Sequence, residues 1–427
     1  MEKTVFIMTL HSQSNYGQQL QNFGLSEKIR ELGFSPCTLR WDFNYFNSKY
    51  QAQHENIRKF IKKYIRSTDI VFSKKDLIKT IKSGKGVIIG GDQVFRNWWA
   101  TNEYQPIFRF YGDFVSGSLN LASYAASFGY DYYRGSQYTI DEAKKLLSRF
   151  DGLSVRESSG VDILKNTFGL DGIEVLDPVF FVTPERYGEV INDVAKTITQ
   201  HKDEYIAYMS VSNPVVNEDL INRLKGYRIL NANLDENGEY NTVEQWLYNI
   251  KNSKFVITDS FHCTAFAIIF KRPFIVVSTK SGGNDRIDNI LGHFNLEQCR
   301  RQSFEEITSN DLVMDIDWEK VFVITQDRLA TSVDFLKNFL NKKPSYKKPY
   351  KNWPLDGIRA KFEKAYRLGK KCQEVPKYKF TLKHKILRII IKLLVDQKRY
   401  KKLKRDYTLF FHDSKSPIIQ FLGRFYN

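Results

Sequence analysis

Five stretches of this sequence place anion-seeking or proton-carrying side chains where an apolar run gives way to a loop or helix. The most informative is T-D-S-F-H-C-T-A-F-A-I-I-F-K-R-P-F at 258–274. A strand ends there, Asp259 or Ser260 caps a helix, and His262 falls in the first turn, where unpaired N–H groups and the helix dipole draw an anion. His262 is thus a candidate phosphate donor and proton carrier; the ordinary alternative is a structural histidine. S-V-R-E at 154–157 ends a strand in Arg156, whose planar fork suits phosphate or carboxylate unless it pairs with Glu157 at the surface. In G-G-D-Q-V-F at 90–95 two glycines turn the chain and leave Asp92 at the mouth of a sheet, as a base for a hydroxyl or as a turn carboxylate bonded to its own backbone. S-N-Y-G-Q-Q-L-Q-N at 14–22 sets Gly17 beside a helix start, open to an anion or a sugar hydroxyl, or holding only a cap by Ser14 or Asn15. S-G-G-N-D-R-I-D-N-I-L at 281–291 offers Asn284 as a cap and Arg286 as a second cation for the same rim or as a solvated first-turn arginine. Together these residue types can hold a small multiply charged anion and move a proton beside it.

Positioning them requires strands whose carboxyl ends lie together. Apolar runs at 5–10, 37–40, 86–90, 121–125, 153–156 and 174–176 alternate with helical patterns such as 18–32 and 140–149. Further runs at 205–211, 228–231, 255–258 and 274–278 alternate with helices at 242–252 and 261–271, and a long helix covers 317–340. The alternation predicts parallel βα units, and ligands of such sheets bind beyond the strands' carboxyl ends. The proline-marked D-P-V-F-F-V-T-P that follows Leu176 divides the pattern. The expected class is therefore α/β, with two Rossmann-like domains facing a cleft: residues 1–185, then 195–341 with the closing helix. A linker, K-K-P-S-Y-K-K-P-Y, opens a basic C-terminal helical extension over 342–427.

Composition narrows the classes further. With 42% hydrophobic and 26% charged residues among 427, the chain is neither collagen-like nor wholly disordered. Its charge of +17 suggests nucleic acid until it is located: residues 342–427 hold 25 Lys and Arg against 6 Asp and Glu, and residues 1–341 hold 40 against 42. The excess belongs to the extension. Cys37, Cys263, Cys299 and Cys372 form no C-x-x-C pair, so neither a disulfide framework nor a metal site is expected, and a reducing compartment fits. The opening segment reads as a strand, and nowhere do ~18 apolar residues run together, so no membrane span is expected.

In order along the chain, N-Y-G at 15–17, G-G-D-Q-V-F, Y-A-A-S-F-G at 124–129, S-V-R-E, L-D-P-V-F at 176–180 and D-S-F-H-C-T-A-F-A-I-I-F-K-R-P-F at 259–274 resemble the polysaccharide pyruvyl transferases over roughly residues 1–300. The resemblance implies a glycosyltransferase-B-like fold with an acceptor-side first domain and a donor-side second domain. It implies phosphoenolpyruvate as donor, no cofactor, and a pyruvate ketal on two hydroxyls of a sugar in a capsule or exopolysaccharide precursor. Arg156 and His262 are then donor-binding and catalytic, with Asp92 the expected base. Many relatives carry an arginine two places before that histidine, where this chain has Ser260; Arg286 is the expected substitute, and Ser260 and Asn284 join the donor side. Asn15, Tyr16, Gly17, Asp92 and Gln93 are expected on the acceptor side.

In the extension, Lys and Arg recur every three or four places against Leu, Ile and Phe over 377–411, the pattern of a helix lying in a membrane interface. A peripheral enzyme on the cytoplasmic face with a lipid-linked oligosaccharide acceptor is expected; the alternative is a helix packed on its own body. One rival function is a nucleotide-sugar-dependent glycosyltransferase of the same architecture, for which Glu297 and Glu305 have E-x7-E spacing but lie outside the His262 helix. A nucleic-acid binder working through the tail is disfavoured by the near-neutral body.

Overall fold

The structure is a computed structural model and describes residues 4–10, 15–40, 51–71, 74–96, 107–133, 137–213, 215–279 and 284–350. The first half runs β1 (Thr4–Met8), α1 (Tyr16–Glu31), β2 (Ser35–Thr38), α2 (Gln51–Tyr64), α3 (Lys74–Ile81), β3 (Gly86–Gly90), β4 (Gly117–Ser118), β5 (Asn120–Tyr124), α4 (Gln137–Leu147), β6 (Ser154–Val155), α5 (Ser158–Asp162) and β7 (Ile173–Glu174). Then come α6 (Pro184–Asn192), β8 (Tyr205–Met209), α7 (Glu218–Arg223), β9 (Arg228–Asn231), α8 (Val243–Lys251), β10 (Phe255–Thr258), α9 (Phe261–Ile269), β11 (Phe274–Val277), α10 (Asn284–Phe294), β12 (Arg300–Arg301), α11 (Trp318–Asn341) and β13 (Tyr346–Lys347).

One sheet has the order β2-β1-β3-β5, the other β12-β11-β10-β8-β9, and both are parallel throughout. Isolated bridges from Ala122 to Gly152 and from Ala126 to Val155 carry the first sheet on to β6, which pairs with β7. Central strands such as β3 and β10 are buried on both faces, which is why they read as continuous apolar runs without alternation. Two helix-wrapped parallel sheets whose strand ends approach one another are the α/β, glycosyltransferase-B-like class expected from the sequence.

α1 occupies the centre. Every residue from Tyr16 to Ser26 is buried, and two glycines make this possible. A Cβ on Gly24 would lie 2.2 Å from the Pro178 carbonyl oxygen, and one on Gly17 would lie 2.2 Å from His262 Cγ.

Packing shows how the segments at the border between the expected halves are held. α6 sides with the second half: Tyr187 meets Phe266 edge-on at 5.0 Å, and Val190 and Ile191 share a cluster with Trp246 and Leu247. α11 serves both halves, its Val321 in that cluster and its Leu336, Phe339 and Leu340 against Val5, Ile7 and Ile88 of the first sheet. At about 36 Å, from a rise of 1.5 Å per residue, a helix of this length spans both. The expected linker is docked where it begins, since β13 pairs with β4 and Lys347 Nζ meets Asp151 Oδ2 at 2.9 Å. The amphipathic segment 377–411 and Cys372 lie outside the described residues; Cys37, Cys263 and Cys299 are buried free thiols. Among the described residues no helix is long and apolar enough to cross a membrane, and no cluster of His, Cys, Asp and Glu is placed to hold a metal.

Candidate active site

The rim of the first sheet is built by strained backbone. After β3, Gly91 and Asp92 both take left-handed conformations, with φ of 63° and 56°, and a Cβ at Gly91 would collide with Gln21. The turn drives the Asp92 carboxylate inward to 4% exposure, where Gln18 Nε2 donates to it at 2.6 Å and Arg156 Nη2 at 3.1 Å. Burial alone raises a carboxyl's pKa, yet Arg156, His262 and Arg286 together with the Gln18 bond hold Asp92 below its ordinary value.

Arg156 follows β6 and is committed on every side. Its Nε donates to Glu157 at 3.0 Å, Nη1 to Asp177 at 2.8 Å, and its plane lies over Phe261 at 4.5 Å. Burial opposes the charge, but Glu157, Asp92 and Asp177 raise the guanidinium's pKa above its usual value. Glu157 moves the other way: burial pushes its carboxyl up despite Arg156 and Arg286. Asp177 also accepts the Val179 N–H at 3.1 Å, so the D-P segment fixes its aim.

The second sheet supplies groups with free valence. Ser260 caps α9, accepting from Cys263 N at 3.4 Å, whereas Asp259 turns away to accept from Ser210 Oγ at 2.7 Å and Val211 N at 2.6 Å. Of the two expected caps, Ser260 is the one used. His262, 7% exposed, packs against Gly17, and its Nε2 lies 3.9 Å from Asp177 Oδ2 with no hydrogen-bond partner. Burial, reinforced by Arg156 and Arg286, lowers its pKa below 6.5 against the pull of Asp177 and Asp92, so the ring is neutral at neutral pH. Arg286, in the first turn of α10, is close enough to Arg156, Glu157, Asp92 and Arg96 to feel their charges; burial and then Arg156 lower its pKa, and its sealed Nε has no partner.

Asp92, Arg156, His262, Arg286 and Gly17 therefore converge, while the other expected residues stand around them. Asn15 caps α1 by accepting from Gln18 N at 3.2 Å, and the Tyr16 hydroxyl donates to the Asn241 carbonyl at 2.6 Å, tying α1 to the second half. Gln93 accepts from Arg96 Nη1 at 3.0 Å, and Asn284 closes its loop through the Thr279 backbone at 2.8 and 3.2 Å. The Arg156–Glu157 pair weighed as a surface contact forms, but buried. Sequence reasoning assigned no role to Gln18, Asp177 or Arg96; the first two lie in segments it singled out, and an aspartate before proline ahead of an apolar run was the available signal for Asp177.

The decisive comparison is at the level of sequence families. The profile of the polysaccharide pyruvyl transferases matches residues 15–281, more than half of the chain, and takes in Asn15, Asp92, Arg156, Asp177 and His262. The chain belongs to the polysaccharide pyruvyl transferase family. Arg286 falls just beyond the matched residues. No curated protein sequence matches. Among solved structures, UGT89C1 of Arabidopsis thaliana complexed with UDP-L-rhamnose is similar at 9% identity, covering 80% of this chain and 99% of that one, with a TM-score of 0.46. The glycosyltransferase SnogD from Streptomyces nogalater is similar at 11% identity, with coverage of 79% and 100% and a TM-score of 0.40. The UDP-GlcNAc 2-epimerase from Neisseria meningitidis bound to UDP-GlcNAc is similar at 8% identity, with coverage of 86% and 100% and a TM-score of 0.41.

Proposed function

We propose that this polysaccharide pyruvyl transferase takes its pyruvyl unit from phosphoenolpyruvate and forms a ketal on two hydroxyls of one sugar. The observation that carries the reading is the pair of buried nitrogens without partners, His262 Nε2 and Arg286 Nε, beside an Arg156 already saturated by carboxylates. Buried donors are normally satisfied, so two orphans at one rim favour an anion that supplies the missing acceptors. The amino terminus of α9 adds its dipole.

In this scheme Arg286 and α9 hold the phosphate and carboxylate, and Arg156 keeps Asp92 and Asp177 in place. Protonation of the methylene carbon makes the neighbouring carbon electrophilic; one hydroxyl adds, phosphate leaves, and the second hydroxyl closes the ring. The two hydroxyls give up two protons, one ending on the new methyl group and one on phosphate. A neutral His262 suits that traffic because it can both accept and donate. Asp92, held ionised by Arg156 and Gln18, is a weak base; its place is to fix Gln18 on the acceptor side. No redox step arises, so no cofactor beyond the donor is proposed.

The acceptor is taken to be a lipid-linked oligosaccharide of a surface polysaccharide, met at the inner face of the membrane by the basic extension. Incubation with phosphoenolpyruvate and lipid-linked saccharides, read by mass spectrometry, should show one pyruvate ketal added per acceptor. Transfer of a hexose from a nucleotide sugar instead would overturn the reading. Removal of residues 376–427 should release the enzyme from membranes; continued sedimentation with them contradicts the attachment.

A further inference from the structure

A second basic site lies on another side of α1. A cavity of about 300 Å³ sits between α1, α2 and the end of β2, with Gln19, Asn22 and Thr38 as its floor and Arg40, Arg58 and Lys62 at its rim. The floor is 1%, 3% and 2% exposed, so it is a buried polar surface and not a shallow patch. Thr38 Oγ1 donates to Asn22 Oδ1 at 3.1 Å, and among the described residues no acceptor meets the Asn22 amide nitrogen. Arg40 donates its backbone N–H to Thr68 Oγ1 at 3.1 Å, while its guanidinium and the Lys62 ammonium have no carboxylate partner among the described residues. Arg58 Nη1 lies 3.9 Å from Glu55 Oε2, a mostly exposed pair that contributes little.

Among the described residues no carboxylate lines this cavity. The local charge is also unusual for a body slightly acidic overall: residues 58–66 hold five Lys and Arg and no Asp or Glu. Lys63 of this run meets Asp193 at 3.4 Å, whereas Lys62 turns to the cavity beside Arg40, and two cations at one rim favour an anion there. The Asn22 amide nitrogen below and guanidinium and ammonium groups above are the donor set for phosphoryl oxygens, and the volume is at the small end for ligand sites. β2 ends at the same rim of the first sheet as β3, and α1 touches both places, Gln18 at Asp92 and Asn22 at the cavity.

We infer that this cavity is a phosphoryl-binding site on the first half of the enzyme, separate from the His262–Arg286 rim, taking a phosphate or diphosphate carried by a second ligand. The inference rests on the cavity itself and not on phosphoenolpyruvate as donor. The phosphoryl group can come from the diphosphate of a carrier-linked acceptor, from an anionic lipid headgroup or from free phosphate.

Calorimetric titration of the full chain with inorganic pyrophosphate tests it, using the surface variant Arg40→Gln/Lys62→Gln, the floor variant Asn22→Asp and Arg286→Gln as the control at the other rim. Wild type should show a pyrophosphate site that Arg286→Gln retains, and the double variant should bind at that site at least about tenfold more weakly, the scale of a charge-assisted bond removed. Asn22→Asp should bind less still; if it fails to fold, the double variant decides. Loss of binding in Arg286→Gln with the double variant unaffected would place pyrophosphate at the other rim and overturn the inference, as would no binding by wild type. A raised KM of the double variant for a diphosphate-linked saccharide, but not for the same saccharide free, assigns the source to the acceptor. Weaker flotation with phosphatidylglycerol vesicles at an unchanged KM assigns it to headgroups, and neither change assigns it to free phosphate.

Discussion

Arg156 and Arg286 reach one rim from opposite sheets and meet different fates. Arg156 has three carboxylates and an aromatic face around it; Arg286 has a sealed nitrogen without a partner and a second guanidinium pressing on it. A cation surrounded by the protein's own acids builds the site, and a cation left short of acceptors recognises what enters. The histidine follows the same division, fixed by Gly17 on one side and unsatisfied at Nε2 on the other.

The contrast breaks most readily at Arg156. Arg156→Ala would leave Asp92, Glu157 and Asp177 buried without their cation and should cost about 3–5 kcal/mol of stability, read from the urea midpoint. An unchanged midpoint with only donor binding lost would erase the difference between the two arginines. Gly17→Ala comes next: its Cβ would meet His262 at 2.2 Å, so the ring must move. Turnover should fall by about 10²-fold for the misplaced group, with a stability loss of about 1–3 kcal/mol from overpacking. Arg286→Gln should raise the KM for phosphoenolpyruvate by about tenfold or more, the effect of a lost charge-assisted bond, and should not lower the midpoint, since it relieves repulsion with Arg156.

The smallest effect is on pH. Burial holds His262 below 6.5, so kcat/KM should stay level as pH falls through 6.5 and decline only at lower pH; an acid limb at or above 6.5 would contradict a neutral ring. The linkage has the same sign: the unfolded chain binds the proton first, so this stability is complete above 6.5 and is lost as pH falls toward the folded value. Asp92, lowered from 3.8, adds stability present above 3.8 and lost as pH falls through its folded pKa.

Much of this was legible in the sequence, for physical reasons. β3 and β10 begin and end where apolar runs predict, because buried parallel strands must be continuously apolar. α2 and α3 drew no prediction: α2 is largely polar, and its buried residues Ile57 and Phe60 are few. Whole-body charge averaging hid the five cations of 58–66 for the same reason. His262, Arg156 and Asp92 were found because they follow strands. The pairing of Arg156 with Asp92 and Asp177 across 64 and 21 residues is tertiary, and spacing cannot show it.

The most direct measurement is the structure of the enzyme with phosphoenolpyruvate bound. Its anionic oxygens should meet His262 Nε2 and Arg286 while Arg156 still holds Asp92, Glu157 and Asp177. A ligand gripped by Arg156 with those carboxylates displaced, or bound away from His262 and Arg286, would contradict the division between the arginine that builds and the arginine that binds.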